Sequence, residues 1–261
     1  MSQHIELGER LARKAGEIMR EHFRKGIHVD WKSEDYSPVT IVDKAVNEML
    51  LQEIPPVFPD YAIYAEEESL DRESEYAVVA DPLDGTFPYT HGIPTFVFSL
   101  AFTKNGDPFA CVVYDPILDR MYTAEKGNGA YLNGTRISVK EWPPKNPTER
   151  LSVAISWGYG QHDLSKVLDK IVQYPGAFFC VLSGIYTGML VASGELAAAI
   201  HPPKLPWDGA SIKLLVEEAG GKVTDIFGNE QRYDKEIKGF IAAPPALHEM
   251  LVDLVRNNVK P

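Results

Sequence analysis

The chain has 261 residues, 44% of them hydrophobic and 10% aromatic, and a formal net charge of -11. That is enough apolar material for one large domain or two intimately packed halves, without disulfides or metal as staples. The acidity argues against a binder of phosphate backbones, which carries a basic patch, so no nucleic-acid partner is expected.

Cys111 and Cys180 each lie inside an apolar run, which reads as two buried thiols in a reducing compartment. Met1 to Gly8 is polar and no apolar run approaches the length of a membrane span, so a cytoplasmic protein with no membrane contact is expected.

Ile5, Leu11, Ala12, Ala15, Ile18, Met19 and Phe23 recur at helical spacing and predict an amphipathic helix over 5–23, ended by Gly26. A polar loop is expected over 28–38. Thr40 then opens a second helix, with Val42, Val46 and Leu50 on its inner face and Pro55-Pro56 as its stop. Asp43 lies in its first turn, where a carboxylate favours the positive end of the helix dipole.

A strand over 61–65 runs into Glu66-Glu67-Glu68, by itself a solvated acidic loop. The apolar run 76–80 reads as a buried strand ending in a sharp turn at Asp81-Pro82-Leu83-Asp84-Gly85-Thr86. Asp81 and Asp84 can point at one spot there, with the Thr86 hydroxyl beside them. Two anions held that close repel unless a cation lies between them. Hard oxygen donors without His or Cys favour magnesium, calcium or manganese over zinc. The acidic loop lies one strand from Asp81, and pairing of the two strands would bring it alongside Asp84.

Strands are predicted over 95–103 and 110–114, then a hairpin turning at Asn133-Gly134. A proline-rich joint over 140–150 separates an N-terminal α+β half (1–142) from a C-terminal α/β half (150–261), which together form one compact unit. The second half alternates: strand 151–156, helix 163–173, strand 177–182, a helix to Ser193, strand 195–200 and helix 207–219. Gly220-Gly221 stops that helix, and two strands and a helix over 246–255 follow. Taken alone, Trp207-Asp208 reads as a staple and N-cap for the helix it begins.

Several other chemistries are poorly supported. The seven histidines show no zinc-ligand spacing, and no G-x-S-x-G elbow is present. Gly127-Asn128-Gly129 leads into a hairpin rather than a helix, and Gly158-Tyr159-Gly160 reads as a flexible loop.

In chain order, an acidic helix start at Asp43, a strand ending at Glu66-Glu67, Asp81-Pro-Leu-Asp-Gly-Thr86, and Trp207-Asp-Gly-Ala210 with Glu218-Ala-Gly-Gly221 resemble the inositol monophosphatase superfamily of magnesium-dependent, often lithium-sensitive phosphatases. Lys126 to Gly134 resembles that family's glycine-rich hairpin. The resemblance implies an α/β fold, a layered αβαβα sandwich of the inositol monophosphatase and fructose-1,6-bisphosphatase type, assembled as a homodimer. It implies Mg2+, two or three ions per site with Mn2+ as a substitute, and hydrolysis of a small phosphorylated polyol, cyclitol or sugar.

Carried over by position, the resemblance assigns Glu66, Asp81, the Leu83 carbonyl and Thr86 to a first metal, and Asp81, Asp84 and Asp208 to a second. Glu67 is an adjacent candidate ligand. Asp43 pairs with Thr86 to orient or deprotonate the attacking water, with Glu66 contributing to catalysis, and the Gly85 and Thr86 amides face the phosphate. Lys32, Ser183, Gly184 and His201 fall on the substrate side.

Departures from the family pattern also fall on that side. Phe87-Pro88-Tyr89 replaces the usual residues after Asp-Gly-Thr, His201 stands where inositol-selective members carry Glu, and Leu182 to Tyr186 is bulkier than usual. Alternative readings are a 3′-phosphoadenosine-type nucleotide phosphatase, with Phe87, Tyr89 and Tyr186 stacking on a base, a histidinol-phosphate phosphatase, and a non-catalytic regulatory protein of the same fold.

Overall fold

The computed structural model describes residues 2–26, 28–32, 38–143, 151–156, 162–174, 177–180 and 182–260. Helix α1 (Gln3–His22) leads to the antiparallel pair β1 (Val29–Trp31) and β2 (Pro38–Thr40), and then to α2 (Ile41–Glu53). Next come β3 (Ala62–Ala65), β4 (Tyr76–Asp84) and the short α3 (Thr86–Thr90). A meander follows: β5 (Val97–Lys104), β6 (Asp107–Asp115), β7 (Arg120–Glu125), β8 (Gly129–Leu132) and β9 (Thr135–Arg136). The remainder comprises β10 (Ser152–Ile155), α4 (Ser165–Ile171), β11 (Phe178–Cys180), α5 (Gly184–Ala192) and β12 (Ala198–His201). A 3-10 turn (Pro206–Asp208) then precedes α6 (Ala210–Glu218), β13 (Lys222–Thr224), β14 (Phe240–Ala243) and α7 (Pro245–Asn258).

Strands β3 to β9 form a seven-stranded sheet in chain order, and the later strands form a five-stranded sheet ordered β11-β10-β12-β14-β13. The two-residue period of a strand sends alternate side chains to opposite faces. Val78, Ala80, Phe98, Leu100, Phe102 and Val112 therefore pack under α1 and α2. Val79, Val97, Ala101, Cys111 and Val113 face the opposite way, toward Ile185, Met189, Ile212 and Leu215 of α5 and α6. The second sheet sorts its residues similarly. Ala154, Ala199 and Ala242 join that middle cluster, while Val153, Ile155, Ile200 and Ile241 pack against α4 and α7. Five layers result, αβαβα, with α5 and α6 shared between the sheets. These two helices approach closely at Gly188, where a Cβ would come within 2.5 Å of Ile212.

Four sequence expectations change. Ser2 caps α1, so the helix starts before Ile5, and it ends at His22, ahead of Gly26. Part of the expected loop over 28–38 is the β1–β2 pair. The 207–219 helix is a 3-10 turn followed by α6, whose N-cap is Gly209, so Asp208 caps nothing. Most important for the site, β4 does not end at Ala80. It runs through the acidic motif to Asp84, pairing Asp81 with Ser99 and Asp84 with Val97 across a bulge. A bulge suits Pro82, which has no amide to give the ladder. The turn comes at Gly85, with φ 93, where a Cβ would lie 2.7 Å from the Thr95 carbonyl oxygen. The expected joint lies outside the described residues from 144 to 150, as does Gly158-Tyr159-Gly160.

Candidate active site

Separate elements bring the acidic residues to one place. β3 runs parallel to β4 with Ala65 beside Ala80, so Glu66 emerges level with Asp81. The bulge turns Asp81 and Asp84 toward one cavity of about 560 Å³, which Glu66 and Asp208 also line. Leu83, Gly85 and Thr86 belong to its wall, as do Ser183, Gly184 and His201. Asp43 stands behind Thr86.

The carboxyl groups of Asp81, Asp84, Glu66, Glu67 and Asp43 are held by protein donors. The Leu83 amide donates to Asp81 Oδ1 at 2.9 Å. Ser183 Oγ and the Tyr186 amide, at the start of α5, donate to Asp84 Oδ2 at 2.5 and 3.1 Å. Lys32 Nζ donates to Glu66 Oε1 at 2.8 Å and to Glu67 Oε1 at 2.7 Å, so Lys32 sits on the carboxylates and outside the cavity lining. Asp43 Oδ2 closes a capping box by accepting from the Thr40 amide and hydroxyl at 2.8 and 2.6 Å. Its Oδ1 lies 3.1 Å from Thr86 Oγ1, which is also 3.0 Å from the Leu83 carbonyl oxygen. The single threonine hydrogen serves one of these at a time. Asp43 therefore combines the structural role expected at a helix start with a contact into the cavity.

Burial and like charge act together on these groups. Desolvation pushes Asp43 up to about 7, against its hydrogen bonds from Thr40 and with Glu66 and Glu67 adding to the rise. Desolvation also takes Asp84 to about 7, opposed by Ser183 and the Tyr186 amide. Asp81 is raised well above the usual carboxylate range by desolvation, then by Glu66, Asp84 and Asp208. Asp208 is raised by desolvation and by Glu66 and Asp84, and Glu66 by desolvation that outweighs Lys32.

Among the described residues, no three His, Cys, Asp or Glu side chains converge closely enough to hold a metal ion as they stand. The donor set itself fits a hard divalent cation. It offers only oxygens, including the Leu83 carbonyl and Thr86 hydroxyl, and its carboxyl groups repel one another in a way that bound positive charge would relieve.

The family model described as "Inositol monophosphatase family" matches residues 1–260. The chain belongs to the inositol monophosphatase family. A fructose-1,6-bisphosphatase/inositol-1-monophosphatase of Thermotoga maritima is 30% identical, over 98% of this chain and 97% of that protein. A histidinol-phosphatase of Chlorobaculum parvum is 29% identical, with 98% of each chain covered. Among solved structures, an IMPase from Thermotoga maritima superposes with a TM-score of 0.86 at 29% identity, covering 98% of both chains. The layered α/β fold expected from the sequence is the fold of this family. Phosphoric monoester hydrolase, the expected enzyme class, is likewise the class of its named relatives.

Within that family frame, the substrate side of this chain has several local features. Tyr89 is buried with its hydroxyl on the Met19 carbonyl at 2.8 Å, and the Tyr186 hydroxyl is 3.2 Å from Asp115 Oδ2. Neither lines the cavity, so of the three aromatics considered for stacking only Phe87 does. His201 Nε2 shares a hydrogen bond with Thr187 Oγ1 at 2.9 Å, and burial lowers its pKa to about 4, so the ring is neutral near pH 7.

Sequence reasoning missed Asn47. Its Oδ1 accepts from the Glu67 and Glu68 amides at 3.3 and 3.4 Å, and its Nδ2 donates to the Glu68 carbonyl at 3.0 Å. A buried polar residue four positions after Asp43 on a helix face was the available signal. Pro38, Ile93, Thr95 and Ser156, also at the cavity, carry no such signal.

Proposed function

We propose that this chain hydrolyses a phosphate monoester of a small polyol, cyclitol or sugar, with Mg2+ as cofactor and Mn2+ as a substitute. The observation that carries this reading is the convergence of Glu66, Asp81, Asp84 and Asp208 on one cavity beside the Asp43–Thr86 pair. A fold alone has no need to gather mutually repelling carboxyl groups.

In this reading Glu66, Asp81, the Leu83 carbonyl and Thr86 hold one ion, Asp81, Asp84 and Asp208 hold another, and Glu67 shares in the set. Bound divalent ions neutralise a dianionic phosphate and lower the pKa of a water. The remaining work falls to the chain. Asp43 Oδ1 and Thr86 Oγ1 orient a water and take its proton. The Gly85 and Thr86 amides, exposed by the turn after β4, face phosphate oxygens. Ser183 and Gly184 place the start of α5 at the substrate, and Lys32 balances Glu66 and Glu67.

The test is phosphate release from a panel of monoesters with Mg2+, using chelator as the blank. Mg2+-dependent release supports the reading. No release from any ester by folded, Mg2+-supplied protein overturns it.

A second reading, histidinol phosphate as substrate, is favoured by the relative of that name and belongs on the same panel. The homodimer rests on family resemblance alone, and sedimentation equilibrium tests it.

A further inference from the structure

The cavity that holds the acidic cluster is larger than a phosphate group requires, and its remaining wall has a distinct chemistry. Phe87 and Ile93 are 50% and 47% exposed and so stand at the mouth, whereas Asp81 and Asp84 are buried at its floor. Pro38, Pro88 and Leu182 complete an apolar wall around the same space. Phe87 is held by stacking on His91, with ring centroids 4.3 Å apart.

No Lys or Arg lines the cavity among the described residues. Among the described residues two cations bond residues of the site, and neither lines the cavity. Lys32 bonds Glu66 and Glu67, and Arg24 spends Nε and Nη2 on the Gly92 carbonyl.

We infer that this site selects a monophosphate whose leaving group has an apolar face and carries no second anion. The inference rests on the phosphatase reading above and narrows it. A second phosphate at the rim would lose hydration without gaining a cation, which is unfavourable in a partly enclosed apolar setting. A flat ring gains instead, by covering Phe87, Ile93 and the two prolines. The neutral His201 adds no charge to the wall. The discrimination is a difference between two affinities, set by the apolar contact and by a wall that has no Lys or Arg among the described residues.

The experiment compares kcat/KM for 2-(2-naphthyl)ethyl phosphate (an alkyl ester, matched in leaving-group reactivity), glycerol 2-phosphate and fructose 1,6-bisphosphate, with Mg2+ supplied. The naphthyl ester is expected to exceed each of the others by at least about tenfold, the scale of a modest apolar contact difference. Phe87→Ser should raise KM for the naphthyl ester and lower its kcat/KM relative to that for glycerol 2-phosphate. Ile93→Arg, a change at an exposed position, should raise kcat/KM for the bisphosphate relative to glycerol 2-phosphate. Bisphosphate used as well as or better than the naphthyl ester would overturn this inference and leave the phosphatase reading standing. Naphthyl and glycerol esters used equally well, or an unchanged naphthyl-to-glycerol ratio in Phe87→Ser, would also overturn it. Release from none of the three by folded protein would overturn the phosphatase reading and this inference with it.

Discussion

Asp43 and Asn47 lie one turn apart on α2, both buried, and each supports a different part of the site. Asp43 reaches Thr86 beyond the bulge of β4, while Asn47 holds the backbone of Glu67 and Glu68 after β3. One helix face thus sets the distance between the Asp43–Thr86 pair and the acidic loop.

Asn47→Ala removes three part-buried hydrogen bonds to the backbone of Glu67 and Glu68. It should lower stability by about 2 kcal/mol and activity by about 10- to 100-fold, as loss of an outer support does at a metal site. Denaturant unfolding and Mg2+ titration of turnover check both parts. A variant with normal Mg2+ dependence would show that Asn47 supports the fold only.

Asp84→Asn removes one of the repelling carboxyl groups and keeps a hydrogen-bonding oxygen for Ser183 and Tyr186. Turnover should fall by about a thousandfold, on the scale of losing a principal electrostatic group, while the melting temperature stays level or rises. Full activity in this variant would remove Asp84 from the metal set.

Chelation should lower the melting temperature, because an ion that binds only the folded chain adds about 2.7 kcal/mol when present at 100 times its dissociation constant. Thermal unfolding with Mg2+ and with chelator measures the shift. Equal melting temperatures would count against any metal at this cavity.

His248 of α7 supplies an acid-sensitive contribution away from the site. It is buried, with Nε2 2.9 Å from Thr224 Oγ1 and Nδ1 without a partner. Desolvation lowers its pKa from 6.5 to about 4, with Lys222 and Lys213 acting the same way and Glu230 opposing them. The unfolded chain therefore takes up this proton first as pH falls. The stabilising contribution is complete above pH 6.5, declines toward pH 4 and is flat below that. Its full size is roughly 3 kcal/mol. In His248→Leu, the difference in unfolding free energy between pH 7 and pH 5 should shrink, as chemical denaturation at the two values would show.

Much of the layered architecture was legible because the strands are buried on both faces and the helices carry apolar stripes. The runs around Val79, Leu100 and Val112 could only be interior strands. The acidic motif was legible as composition but not as geometry. A bulge depends on which residue of β5 faces Pro82, and that pairing is invisible in β4 itself. Asn47 was missed for a related reason, since its partners lie twenty residues on and a single buried amide leaves no periodic trace. The β1–β2 strands have three residues each, too few for a two-residue period to announce them. The sequence located the departures on the substrate side, but only the fold separates Phe87, at the cavity, from Tyr89 and Tyr186, which are tied to Met19 and Asp115.

The middle layer has a consequence for how the site comes into being. Helices α5 and α6 lie between the sheets, and their cluster draws residues from both. Asp208 enters just ahead of α6, and Ser183 reaches Asp84 from the start of α5. The cavity therefore does not exist in a chain that has folded only through its first sheet. Contacts this far apart in sequence form late and slowly, so a nascent chain would acquire its acidic pocket only when the last third has been made. Ion capture would then mark completion of folding rather than initiate it.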